Sequence, residues 1–322
     1  MIRTWADAQR GHLPEVDGHN VAWYVWGNPD APALLMLHGG PGGGISETLA
    51  HIFDPAAWHL VAMDQRGCGR STPHAGDTLA ALAHNKTADL VADCERLRAA
   101  LGLGPWVVFG GSWGATLAQA LAHTHSGAVR GMVLAGVTTT RQAETDWLYG
   151  HLRHLMPEAF AAFQARHPGV APGIDLVRAY GADLADPATC DGAAAAWAAW
   201  EMAAVSSDAR HRSSARWQDG RFRLGFARLC AQYFSACAWL DPPLLSRAPA
   251  LGDIPGELVN ARFDLVSPPG TAWTLAQAWP GARLTLLPGG LHSAGEGAMA
   301  EAVRAAGARL AARLAEAPGA AL

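Results

Sequence analysis

A chain of 322 residues has room for one large α/β domain with a substantial core, or for two smaller domains. Half of the residues are apolar and 16% are charged, a globular composition that excludes a disordered chain. The net charge of −4 comes without any Lys/Arg cluster, which argues against nucleic acid as a partner.

The opening stretch places Arg3, Asp7 and Arg10 where a secretory signal would need an uninterrupted apolar run. No run of about 18 uncharged apolar residues occurs elsewhere, so no membrane span is expected. VAWYVWG (21–27) and ALLMLHG (33–39) read as strands, the second apolar enough to be buried on both faces of a sheet. HLVAMD (59–64) is a third, leading into a Gly-rich loop. In KTADLVADCERLRAALG, Leu90, Cys94, Leu97 and Leu101 fall at helical spacing and Gly102 stands where the helix should end. PWVVFGG (105–111), ATLAQALAHTH and VRGMVLAGV (129–137) continue as strand, helix and strand. This alternation predicts a mostly parallel central sheet with helices on both faces.

From about residue 140 to 247 strand signals vanish, and Ala- and Trp-rich helical stretches broken by Pro and Gly take over. Strand character resumes in GELVNARFD (256–264) and ARLTLLPGG (282–290), and the amphipathic run EGAMAEAVRAAGARLAARLAEA closes the chain. The expected organisation is therefore a core formed by residues 1–139 and 248–322, with an inserted all-helical cap domain at 140–247. Cys68, Cys94, Cys190, Cys230 and Cys237 are scattered, with no C-x-x-C pair. They suggest neither a disulfide framework nor a zinc site, and point to a reducing, cytoplasmic location.

Gly110-Gly111-Ser112-Trp113-Gly114 is a G-x-S-x-G pattern between an apolar strand and a helix. That context marks a nucleophile elbow, where small neighbours let a serine occupy a sharp strand-to-helix turn. The hydroxyl needs a base, and the base an orienting acid, in the chain order Ser, Asp/Glu, His. Asp264 and His292 follow late strands in that order, at the sheet edge where catalytic loops gather. The alternatives are a turn residue at Asp264 and a loop histidine at His292, and the shared edge and correct order favour the triad over them. His38-Gly39-Gly40-Pro41-Gly42 follows a buried strand, and its Gly40 N–H with that of Trp113 would form an oxyanion hole. No G-K-[ST] follows, so a phosphate loop is disfavoured. His151 and His154 lack a companion carboxylate at ligand spacing and read as an exposed helical face. No metal or cofactor is expected.

HGGPGGG (38–44), DQRGCGRS (64–71), GGSWGATLAQALA (110–122), WAAWE (197–201), ARLCAQYF (227–234), ARFDLVSP (261–268) and GGLHSAG (289–295) together resemble the proline iminopeptidase (prolyl aminopeptidase) family. The match runs from about residue 15 to 310. It implies an α/β-hydrolase fold and a cofactor-free serine enzyme that removes N-terminal proline from peptides, with Ser112, Asp264 and His292 as the triad. It also implies that Glu201 holds the substrate's α-amino group and that Arg141 helps shape the site. Trp197 and Trp200, beside Glu201, suit either a pyrrolidine ring or the packing of the cap. Family members usually carry a second glutamate where this chain has Cys230. Losing one charge-assisted contact is worth roughly ten- to hundredfold in affinity. The competing readings are an esterase or amidase acting on another small substrate, and a binding protein on the same frame. The oligomeric state is not legible.

Overall fold

The computed structural model describes residues 1–205, 215–290 and 292–316. Residues 206–214 of the helical segment, Leu291 of GGLHSAG and residues 317–322 lie outside it. The apolar runs become a sheet because successive side chains in a strand point to opposite faces. In the strand Ala33–Leu37, Leu35 and Leu37 join one buried cluster with Leu97, Trp113 and Leu117. Leu34 and Met36 join a second, with Phe53, Val303 and Leu310. The same division recurs in HLVAM, with Val61 and Met63 on one side and Leu60 and Ala62 on the other. A strand apolar at every position therefore requires helices on both faces.

Eight strands form the sheet: β1 (Gln9–His12), β2 (Ala22–Gly27), β3 (Ala33–Leu37), β4 (His59–Met63), β5 (Trp106–Gly111), β6 (Val129–Ala135), β7 (Gly256–Ala261) and β8 (Ala282–Leu287). Their order is β1-β2-β4-β3-β5-β6-β7-β8, parallel from β4 onward. β2 runs antiparallel to both neighbours, and β1 to β2. β1 is an element that apolar patterning does not reveal. Its sequence, QRGH, is polar and largely exposed, as suits a sheet edge that must not invite another chain. The expected mostly parallel sheet with flanking helices is what forms. The helices Thr87–Ala100, Trp113–Thr124 and Pro269–Ala278 contribute to one buried cluster, and Gly297–Glu316 to the other.

Between β6 and β7 the described residues are helical, with no strand. The helices Gln142–Leu148, Pro157–Gln164, Ile174–Ala185, Cys190–Val205 and Gly220–Ser235 bury a third cluster of their own. Aromatic rings dominate it: Phe163 stacks on Tyr180 with centroids 4.3 Å apart, and Trp197 lies 4.9 Å from Tyr149. Trp200 faces Phe160 and Phe163. Further along, Ala238 and Leu244 leave this cluster and pack with the sheet. His151 and His154 are exposed on the helical segment, as expected.

Candidate active site

Ser112 sits between the end of β5 and the helix Trp113–Thr124 with φ 56° and ψ −123°. A non-glycine residue in that region carries strain of order 1–3 kcal/mol and persists only where its surroundings hold it. Three bonds hold it here. Its N–H donates to the Ala135 carbonyl at the end of β6 (2.9 Å), and its carbonyl accepts from Ala115 N–H (2.8 Å) and the Thr138 hydroxyl (3.0 Å). Two glycines of the pentapeptide, Gly110 and Gly114, are steric necessities. A Cβ at Gly110 would stand 2.2 Å from the Gly114 carbonyl oxygen, and one at Gly114 would stand 2.2 Å from that of Leu37. The pentapeptide is thus a packing solution for a strand, a tight turn and a helix crossing β3.

Asp264 follows β7 and His292 follows β8, so two neighbouring parallel strands deliver them to the edge where β5 delivers Ser112. Asp264 is buried, and its Oδ1 accepts from the N–H groups of Val266 (3.0 Å) and Ser267 (2.8 Å). That leaves Oδ2 for His292 Nδ1, 2.8 Å away. Burial alone would depress the imidazole's pKa, but the Asp264 charge and hydrogen bond, helped by Glu201, outweigh it and raise the pKa above 6.5. Ser112 and His292 line one cavity of about 340 Å³, with Asp264 behind His292.

The loop after β3 closes over the serine. Gly39 packs so near it that a Cβ there would lie 3.2 Å from the Ser112 Cβ. Gly39, Gly40 and Trp113 all line the cavity, and as the first residue of its helix Trp113 has an N–H with no intrahelical acceptor. Gln65 ties the parts together. Its side chain accepts from Trp113 Nε1–H (2.8 Å) and donates to the His38 carbonyl (3.0 Å), and its N–H donates to His38 Nε2 (3.1 Å). Asp64 accepts from Tyr24 Oη–H (2.6 Å) and from the N–H groups of Ile45 (2.7 Å) and Arg70 (2.9 Å). The DQRGCGRS stretch is thus the frame of the glycine loop, a role the sequence alone did not assign.

Comparison with known proteins agrees with this geometry. The alpha/beta hydrolase fold family profile matches residues 32–297. A proline iminopeptidase from Xanthomonas citri is 41% identical over 293 residues, 89% of this chain and 92% of that one. The chain belongs to the proline iminopeptidase family of α/β-hydrolases. It is a hydrolase. The proline iminopeptidase of Arabidopsis thaliana is 38% identical over 291 residues, covering 89% of this chain and 75% of its own length. In fold, the crystal structure of a proline iminopeptidase from Mycobacterium smegmatis superposes with a TM-score of 0.67 at 20% identity, covering 94% of this chain and 98% of the other.

The helical segment supplies the rest of the cavity wall, with Leu148, Tyr149, Glu201, Met202, Phe226 and Phe234 among its residues. Glu201 is 6% exposed and accepts from Tyr149 Oη–H at 2.5 Å. Burial raises its pKa, while Tyr149, His292 and Trp197 pull it back. Burial and the Glu201 charge push the Tyr149 phenol well above 10. Tyr149, the direct partner of Glu201, is a residue that sequence reasoning passed over, since it belongs to no motif. Three expected contacts lie behind the wall. Trp197 is wholly buried, backing Tyr149. Cys230 is wholly buried with its thiol donating to the Pro41 carbonyl at 3.4 Å, and burial together with Glu201 pushes the thiol pKa well up. Arg141 precedes the helix Gln142–Leu148, and its guanidinium lies 3.4 Å from both Glu144 Oε1 and Thr271 Oγ1. None of the three is among the described residues lining the cavity.

Proposed function

We propose that the protein is a serine aminopeptidase that releases N-terminal proline, or a similar small residue, from short peptides through an acyl-enzyme on Ser112. The observation that carries this reading is Glu201. A buried carboxylate on the wall of the cavity that holds the serine has one evident use, capture of a cationic amine. The names of the 38–41% identical relatives support the same reaction.

In this reading His292 Nε2 takes the Ser112 proton as Oγ attacks the prolyl carbonyl, while Asp264 holds the Nδ1–H. The Gly40 and Trp113 N–H groups carry the developing oxyanion. His292 then protonates the leaving amine, and a water activated by His292 hydrolyses the prolyl ester. Glu201 holds the secondary amine, with Tyr149 fixing its rotamer. The ring packs against Tyr149, Phe226 and Phe234, three of the four aromatic residues that line the helical wall of the cavity, with Trp217 the fourth. Trp197, Cys230 and Arg141 shape the site indirectly: Trp197 backs Tyr149, Cys230 seats Pro41, and Arg141 pairs with Glu144. The segment 140–247 acts as the cap and the remainder as the catalytic core.

The test is kcat/KM on proline p-nitroanilide, alanine p-nitroanilide, an N-acetylated proline p-nitroanilide and p-nitrophenyl acetate. A strong preference for the free N-terminal proline is expected. Equal or better turnover of the blocked or acyl substrates would replace this reading with an esterase or amidase.

A further inference from the structure

The cavity carries charge of both signs. Glu144, Glu201 and Glu296 line it, and Arg216 is the one lysine or arginine among its described lining residues. Arg216 lies in the short turn Ala215–Gln218, just before the helix Gly220–Ser235. Its Nη1 donates to the Gly43 carbonyl at 2.7 Å, and the guanidinium stands over the Phe222 ring, 4.9 Å from the centroid. Gly43 in turn donates its N–H to the Gly39 carbonyl (3.0 Å), and Gly39 packs on Ser112. The cation is therefore anchored on the loop that walls the nucleophile. Among the described residues no carboxylate is bonded to it. Glu144 is engaged by Thr139, Arg141 and Thr271, and Glu201 by Tyr149. A guanidinium has five N–H donors in a planar fork, and the Gly43 bond uses one.

We propose that Arg216 binds the C-terminal carboxylate of the substrate, so that the preferred substrates are short zwitterionic peptides, dipeptides first. This inference rests on the aminopeptidase reading above. Glu201 takes the cationic end, Ser112 the carbonyl between, and Arg216 the anionic end. Cavity charges of opposite sign suit a molecule that carries both, and a planar fork suits a carboxylate better than a carboxamide. Specificity for length follows without a steric stop, because a longer peptide carries its carboxylate past the cation.

The experiment measures kcat/KM for Pro-Gly and for Pro-Gly-amide with the native protein, Arg216→Met and Arg216→Lys. The native protein should favour the free acid. Arg216→Met should lower the acid-to-amide ratio about tenfold, equivalent to about 1.4 kcal/mol, with the change entering through KM. Arg216→Lys should restore part of the ratio. With the native protein alone, 1 M KCl should erode the acid preference, because exposed charges are screened within a few ångströms at that ionic strength. A ratio unchanged by Arg216→Met, or an equal loss on acid and amide, would overturn the inference. A native protein that releases proline from its p-nitroanilide yet shows no acid preference sinks the Arg216 role alone, whereas no turnover of that anilide sinks the aminopeptidase reading.

Discussion

The two walls of the cavity are built on different principles. On the sheet side, Ser112 is fixed by backbone hydrogen bonds and by Gly110 and Gly114, where a Cβ would stand against backbone oxygen, and Asp264 is fixed by two N–H donors and one imidazole. On the helical side, Glu201 is held by the Tyr149 phenol, and its neighbours are aromatic rings whose packing many sequences could satisfy. The reaction is specified by geometry that tolerates almost no change, and the substrate by a surface that tolerates a good deal. Substitutions on the two walls should therefore differ in size and in kind.

The largest effect is expected from Ser112→Ala, which should lower turnover by at least about 10⁴-fold while leaving the circular dichroism spectrum and Tm near those of the native protein. Retained turnover would remove the serine from the chemistry. Next, Gly114→Ala places a Cβ 2.2 Å from the Leu37 carbonyl oxygen. It should cost about 2–4 kcal/mol in urea unfolding, together with a large loss of activity, as overpacking beside a backbone does. A smaller penalty would show that the elbow can relax.

Glu201→Gln tests the other wall. It should lower kcat/KM for free-amine substrates about ten- to hundredfold and spare blocked ones. It should also move the pH profile. The base must be neutral to act, so activity rises as pH climbs through the His292 pKa, which lies above 6.5. Glu201 contributes to that elevation, so removing its charge should shift the acid limb to lower pH. An unmoved limb would separate Glu201 electrically from the triad. The smallest effect belongs to Cys230→Ser, which should change kcat/KM by no more than about threefold, since the residue meets Pro41 and not the cavity.

The same contrast explains what the sequence disclosed. The strands from β2 onward were legible to within two or three residues at their ends, because doubly buried strands leave continuous apolar runs between glycines. β1 was not, since an edge strand with polar residues has no such signature. The gathering of Ser112, Asp264 and His292 at one sheet edge could be read because a strained turn and two strand ends constrain their neighbours. Tyr149 and Arg216 could not, since neither follows from a local pattern. Their places depend on how helices far apart in the chain come together. Trp197 shows the converse: its spacing beside Glu201 was right for a cavity wall, but the ring turns into the helical cluster instead.

The insertion point of the helical segment has a consequence for chain entropy. β6 and β7 are parallel neighbours, so some crossover between them is unavoidable, and a dozen or so residues would serve. The chain spends residues 136–255 on it. Closure entropy grows only with the logarithm of loop length, so a roughly tenfold longer crossover costs the sheet about 2 kcal/mol in the flexible-loop limit. A connection that long can be rewritten, lengthened or exchanged at little thermodynamic cost to the catalytic edge it arches over, which makes it the place where a new substrate preference can arise while the old chemistry stays in force.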